Sequence, residues 1–116
     1  MNRELRISNM LKDLGIAANL SGYTYLKKAI DMVMDDPSLI HHVTKDIYPS
    51  MAQEFKTTYS RVERAVRHSI QVGWQKGNKQ TQDELFGYTV SSDRGHPTSS
   101  EFIATIADYI IITQED

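Results

Sequence analysis

Apolar residues return along this chain every three or four positions, the period at which an α-helix brings side chains onto one face. Ile7, Met10, Leu11 and Leu14 keep that interval, and Gly15 then supplies a left-handed stop, which predicts a first helix. A second is predicted from near Ser21-Gly22 through Leu26, Ile30 and Val33 to Asp35-Asp36-Pro37, where proline disfavours helical geometry at Asp36. Pro37 can open a third helix at its first turn, where a missing N–H costs nothing, carrying Leu39, Ile40, Val43 and Ile47. Pro49 then interrupts. Either it starts a new helix or it kinks a continuing one.

The strongest amphipathic signal follows. Val62, Val66 and Ile70 fall on one helical face, while Arg61, Arg64, His68, Gln71 and Gln75 recur on roughly the opposite one. Counted from Tyr48, a twenty-residue helix-turn-helix frame puts Met51, Ala52, Phe55, Val62 and Ala65 where two crossing helices need apolar or small side chains. One position departs from it. Lys56 stands where glycine would ease a left-handed turn, so a longer or differently shaped turn is expected. Thr57-Thr58 supply cap-type hydroxyls, and Ser60-x-x-Glu63 reads as a capping box, so the second helix should start near Ser60. Tyr59 suits either ring packing or a phosphate contact through its hydroxyl.

After Trp74 and Gly77-Asn78, a short helix is predicted from Thr81, with Thr81-x-x-Glu84 as its capping box, Gly87 as its stop, and Leu85 and Phe86 buried. Tyr88-Thr89-Val90 has extended character, but no second strand is evident to pair with it. Ser91 to Pro97 has loop composition. Thr98-x-x-Glu101 then caps a last helix carrying Phe102, Ile103, Ile106, Ala107 and Ile110, and Gln114-Glu115-Asp116 should fray. The fold class is all-α.

Composition narrows the function. A chain of 116 residues suits a single domain, which at this size buries roughly two-thirds of its unfolded surface. No apolar run approaches the ~18 residues of a membrane helix, and Met1-Asn2-Arg3-Glu4 opens no signal peptide, so a soluble, cytoplasmic protein is expected. The chain has no cysteine, which excludes disulfide and thiolate chemistry. The net charge of −2 is unevenly spread. From Lys56 to Lys79 six Lys/Arg face one acid, for +5, whereas the remainder carries seven basic and fourteen acidic residues, for −7. Such asymmetry is the footprint of a phosphate-binding face, although a plain solvated face has the same charge. His41 and His42 diverge on a helix and His96 stands alone, so neither metal, cofactor nor enzymatic chemistry is expected.

Several separated motifs then combine. Tyr48-Pro49, Thr57-Thr58, Ser60-Arg61-Val62-Glu63-Arg64-Ala65-Val66-Arg67-His68, Gly77-Asn78, Leu85 to Val90 and Pro97-Thr98-x-x-Glu101-Phe102-Ile103-Ala104 closely resemble the DNA-binding effector domain of the stage-zero sporulation response regulator family. The resemblance runs from about Ile7 to Ile111. It implies a compact domain of about six helices containing a helix-turn-helix, whose fourth helix reads the major groove of double-stranded DNA at a TGTCGAA-like box. In that setting Arg61 and Arg64 suit bidentate bonds to guanine O6 and N7. Glu63 suits cytosine N4 or a pair with Arg67 one turn on. Thr58, Ser60, Arg67 and His68 suit backbone contacts or orienting roles. The resemblance also implies an RNA polymerase sigma factor near the short helix, with Lys79, Gln82 and Asp83 as exposed candidates for its surface; an ordinary solvated loop is the other, leading reading of these residues.

Two departures and one alternative stand beside it. Family members commonly carry Ala-Ile-Glu-Val-Ala-Trp where this chain has Ser69-Ile70-Gln71-Val72-Gly73-Trp74, and Gly73 costs a helix interior roughly 0.8–1.0 kcal/mol relative to alanine. No receiver domain lies in these 116 residues, which fits an excised effector domain or a regulator without one. A monomer that pairs in tandem on DNA is the expected state. The competing reading is a protein-interaction module that binds sigma factor or another regulator without reading sequence.

Overall fold

The computed structural model describes residues 2–87, 90 and 94–114. Six α-helices form, and the described residues include no strand: α1 (Arg3–Asp13), α2 (Tyr23–Asp35), α3 (Tyr48–Glu54), α4 (Tyr59–Trp74), α5 (Lys79–Phe86) and α6 (Ser99–Ile112). Asn2 caps α1 by accepting from the Leu5 N–H at 2.8 Å. The helix closes in a Schellman motif, with Gly15 N–H donating to Lys12 O at 3.0 Å and Ile16 N–H to Leu11 O at 2.8 Å. Gly15 holds the left-handed φ of +99° that this motif needs. Asp36, extended at φ −139°, ends α2 before Pro37 as expected.

The third predicted helix is corrected. Pro37–His42 forms a 3-10 helix, its start held by the Asp36 carboxylate accepting from Ser38 N–H at 3.2 Å. Val43–Ile47 then forms a π turn that runs without a break into α3. Pro49 supplies the reason. A proline one residue into a helix has no N–H for the carbonyl four back and crowds it with its ring. The widened turn in front, in which Tyr48 N–H reaches Val43 O, relieves that crowding. Ile47 and Tyr48 both keep right-handed helical angles, so Pro49 sits in the first turn of α3 and breaks nothing.

At the centre lies α6, packed against α2, α1, α4 and α5. Its capping box forms in full: Glu101 N–H donates to Thr98 Oγ1 at 3.1 Å and Thr98 N–H to Glu101 Oε1 at 3.3 Å. Phe102, Ile103, Ile106, Ala107 and Ile110, the five predicted inward positions, are all buried. Burial of each large side chain stabilises by about 1.5–3 kcal/mol. Trp74 meets Phe86 edge-on at 5.1 Å, and Phe86 stacks on Phe102 at 5.9 Å, which joins α4, α5 and α6.

The start of α5 is corrected too. Asn78 is its cap, accepting from Thr81 N–H at 3.0 Å, so Thr81 lies inside the first turn and bonds the Asp13 carboxylate instead. Glu84 accepts from Gln80 at 3.1 Å. Gly87 stops the helix at φ +50°, as predicted. Tyr88 and Thr89, for which extended character was expected, lie outside the described residues, as do Glu115 and Asp116.

Candidate nucleic-acid interface

Two helices, α3 and α4, carry this site, joined by a turn over residues 55–58. Met51 and Ala52 of α3 are buried with Val62, Val66 and Ile70 of α4. Phe55, placed inside by the frame, is 38% exposed and rests edge-on against Tyr25 at 5.3 Å. Ala65 is half-buried, because the α1–α2 connection crosses it: a Cβ on Gly22 would stand 2.5 Å from Ala65 O.

The turn does not depart from the left-handed geometry. Lys56 N–H donates to Gln53 O at 3.3 Å and Thr57 N–H to Ala52 O at 2.9 Å, a second Schellman motif with Lys56 at φ +54° in the position glycine usually takes. The expectation of a longer or reshaped turn is therefore overturned; the lysine adopts the angle. Of the expected capping groups, the Thr57-Thr58 hydroxyls are borne out at Thr58 and the Ser60–Glu63 capping box is corrected. Thr58, extended at φ −108° and ψ 155°, accepts from Arg61 N–H at 3.2 Å and is the N-cap of α4. Ser60 already lies within the helix, and the Glu63 carboxylate accepts from Arg67 Nη1 at 2.7 Å rather than closing a capping box. Tyr59, the first residue of α4, is partly exposed and packs edge-on against Tyr48 at 6.0 Å.

The two faces of α4 separate as the spacing predicts. Arg61, Arg64, His68, Gln71 and Gln75 are exposed, as are Thr58, Ser60 and Arg67, while Glu63 is half-buried beneath Arg67. Arg61 and Arg64 make no ion pair with any described residue. Lys56 and Lys76, both exposed, lie in the chain just before and just after the helix. Beside Glu63 and Arg67 runs a groove walled by the segment Arg94 to Ser99, in which Arg94 donates to His96 O at 2.8 Å and pairs with Glu101 at 3.2 Å. Reading the sequence missed these two residues, because only the fold brings them to α4.

Rigid supports hold this helix. Tyr48 is 1% exposed, and burial pushes its phenol up to about 12, with the nearby Ser99 hydroxyl opposing and the Glu63 and Tyr59 charges adding. Its hydroxyl lies close to Ser99 but makes no hydrogen bond of good geometry. Ser69, fully buried, accepts from Gly22 N–H at 2.8 Å. The far end of α4 lies directly on the α1 stop: a Cβ on Gly73 would stand 2.5 Å from Gly15 O and 2.7 Å from Ile16 Cδ1. Glycine is thus required there by close approach, which offsets its cost to the helix.

On α5, Lys79 and Asp83 are exposed, but Gln82 is 5% exposed and donates through Nε2 to Trp74 O at 2.7 Å. The expectation that Gln82 faces outward is overturned. Its four-residue spacing from the buried Phe86 is the signal for an inward position. No group of three His, Cys, Asp or Glu suited to a metal occurs among the described residues. Nor is any described helix long and apolar enough to cross a membrane. A protein-family model described as Sporulation initiation factor Spo0A C terminal matches residues 7–110.

Proposed function

The chain belongs to this family of C-terminal domains of the sporulation initiation factor Spo0A, a DNA-binding family of transcription regulation, and from that premise we propose sequence-specific reading of duplex DNA by α4. The observation that carries the proposal is the clean division of α4. Val62, Val66 and Ile70 lock one face into the core, and Arg61, Arg64 and His68 stand free on the other. In this reading α3 and α4 are the two arms of a helix-turn-helix, with the N-terminal half of α4 in the major groove.

Arg61 and Arg64 then bond guanine edges in a TGTCGAA-like box, each supplying about 1–3 kcal/mol of discrimination. Glu63 has two carboxylate oxygens: one holds Arg67, and the other is available to accept from cytosine N4. Thr58, Ser60, Arg67 and His68 fix register on the phosphates. Lys79 and Asp83 form the proposed sigma-factor surface, from which Gln82 is withdrawn by its burial. Two copies in tandem on adjacent boxes, in the cytoplasm, complete the proposal.

The test is fluorescence anisotropy on a labelled TGTCGAA duplex against a scrambled duplex at two salt concentrations, repeated with Arg64→Ala. Selective binding that Arg64→Ala abolishes is expected. Equal, weak binding to both duplexes would instead favour a protein-interaction module.

A further inference from the structure

Lys56 is the one described residue other than glycine with a positive φ, at +54°. The Schellman hydrogen bonds around it need that angle, and glycine provides it without steric penalty. The lysine side chain gives the fold nothing visible in return. It is exposed and makes no hydrogen bond or ion pair with any described residue, whereas Lys27 and Lys28 pair with Glu4 and Glu54. Structural requirements alone would therefore select against lysine here.

Its location suggests what it does. Lys56 stands two residues before the Thr58 cap of α4, beside the exposed Thr58, Tyr59 and Ser60. When the N-terminal end of a helix enters a major groove, the residues just before it lie at the groove's rim, where the phosphates are. A lysine ammonium is a flexible point charge suited to such a site and indifferent to base identity.

We propose that Lys56 is a DNA-phosphate contact, held in a left-handed turn that glycine would satisfy better because its ammonium is used on the duplex. The proposal rests on the DNA-reading assignment of α4. It makes Lys56 a contributor to affinity rather than to sequence choice.

Lys56→Gly separates the two roles, because backbone and side chain pull in opposite directions. The variant should unfold at the same or a higher urea concentration than the parent, yet bind the TGTCGAA and scrambled duplexes severalfold more weakly, by the same factor for each. The slope of log affinity against log salt should fall by about 0.9, the value of one phosphate contact. Lys56→Arg should keep both affinity and slope. Unchanged affinity and slope in Lys56→Gly would overturn the proposal while leaving the reading of α4 intact. Parent protein that binds neither duplex would overturn that reading, and this proposal with it.

Discussion

The chain makes the same stop twice, once after α1 and once after α3, with the same pair of hydrogen bonds and a left-handed residue at the same point. One stop uses Gly15 and the other Lys56. The difference lies in what surrounds them. A Cβ on Gly15 would stand 1.9 Å from Gly73 O and 2.9 Å from Gly77 N, whereas Lys56 opens to solvent. The first turn is a packing surface on which α4 rests, so a side chain is excluded by a neighbour as well as by the backbone. At the second, only the backbone angle argues for glycine, a preference of about 1–2 kcal/mol that a functional side chain can outweigh.

The sharpest way to break this comparison is Gly15→Ala. Left-handed strain and a clash with backbone that cannot rotate away combine to an expected loss of about 3 kcal/mol or more. Lys56→Ala should leave stability within about 0.5 kcal/mol, since both residues carry a Cβ at the same angle. Urea unfolding read by circular dichroism measures both, and equal losses would sink the distinction.

Away from the turn, α3 and α4 also meet at Tyr48, the largest fully buried side chain among the described residues, whose ring lies edge-on to Tyr59. The Tyr48 phenol is raised from 10.0 to about 12, chiefly by burial. Below pH 10 both folded and unfolded forms keep the proton, so the full stability is present. Between pH 10 and about 12 the unfolded form ionises first, and stability should fall by about 1.4 kcal/mol per pH unit. Tyr48→Phe should flatten that alkaline loss at little cost near neutral pH, because the hydroxyl has no good hydrogen bond to lose. Chemical unfolding at pH 8, 10 and 11 compares the slopes, and an identical slope in the variant would remove Tyr48 as the cause.

The partner of Gly15 gives a smaller effect. Gly73→Ala gains about 1 kcal/mol in helix propensity but drives a methyl group into Gly15 O and Ile16 Cδ1, an overpacking of about 1–3 kcal/mol. A net loss of about 1 kcal/mol is expected in the same unfolding assay. A net gain would mean that α4 shifts freely off the α1 stop.

What could be read ahead of the fold follows the same division between local and tertiary causes. The whole of α6 was legible, because Thr98 and Glu101 cap each other and the apolar period is unbroken from Phe102 to Ile110. So were both faces of α4. The segment from Pro37 to Tyr48 was not, because its π turn answers to the room Pro49 needs downstream, while the 3-10 turn before it keeps an apolar spacing that reads equally well as an α-helix. Gln82 misled by its polarity: the acceptor that satisfies it, Trp74 O, is supplied by packing. Arg94 and His96 belong to the neighbourhood of α4 only through the position of α6.

The cap of α4 is the finest case. Thr57, Thr58 and Ser60 all carry hydroxyls that could begin a helix, and Ser60 with Glu63 even matches a capping box. The choice falls on Thr58, whose hydroxyl takes the Arg61 N–H, and Tyr59, packed on the buried Tyr48, is already in the helix. Thr58→Ala should therefore cost about 1 kcal/mol, by leaving the Arg61 N–H without its partner. Ser60→Ala should be neutral or slightly stabilising, since alanine is the better residue inside a first turn. Measured together by urea unfolding, the pair reads out which residue starts the helix. A loss at Ser60 equal to that at Thr58 would return the start of α4 to Ser60 and shift Arg61 and Arg64 relative to the proposed DNA groove.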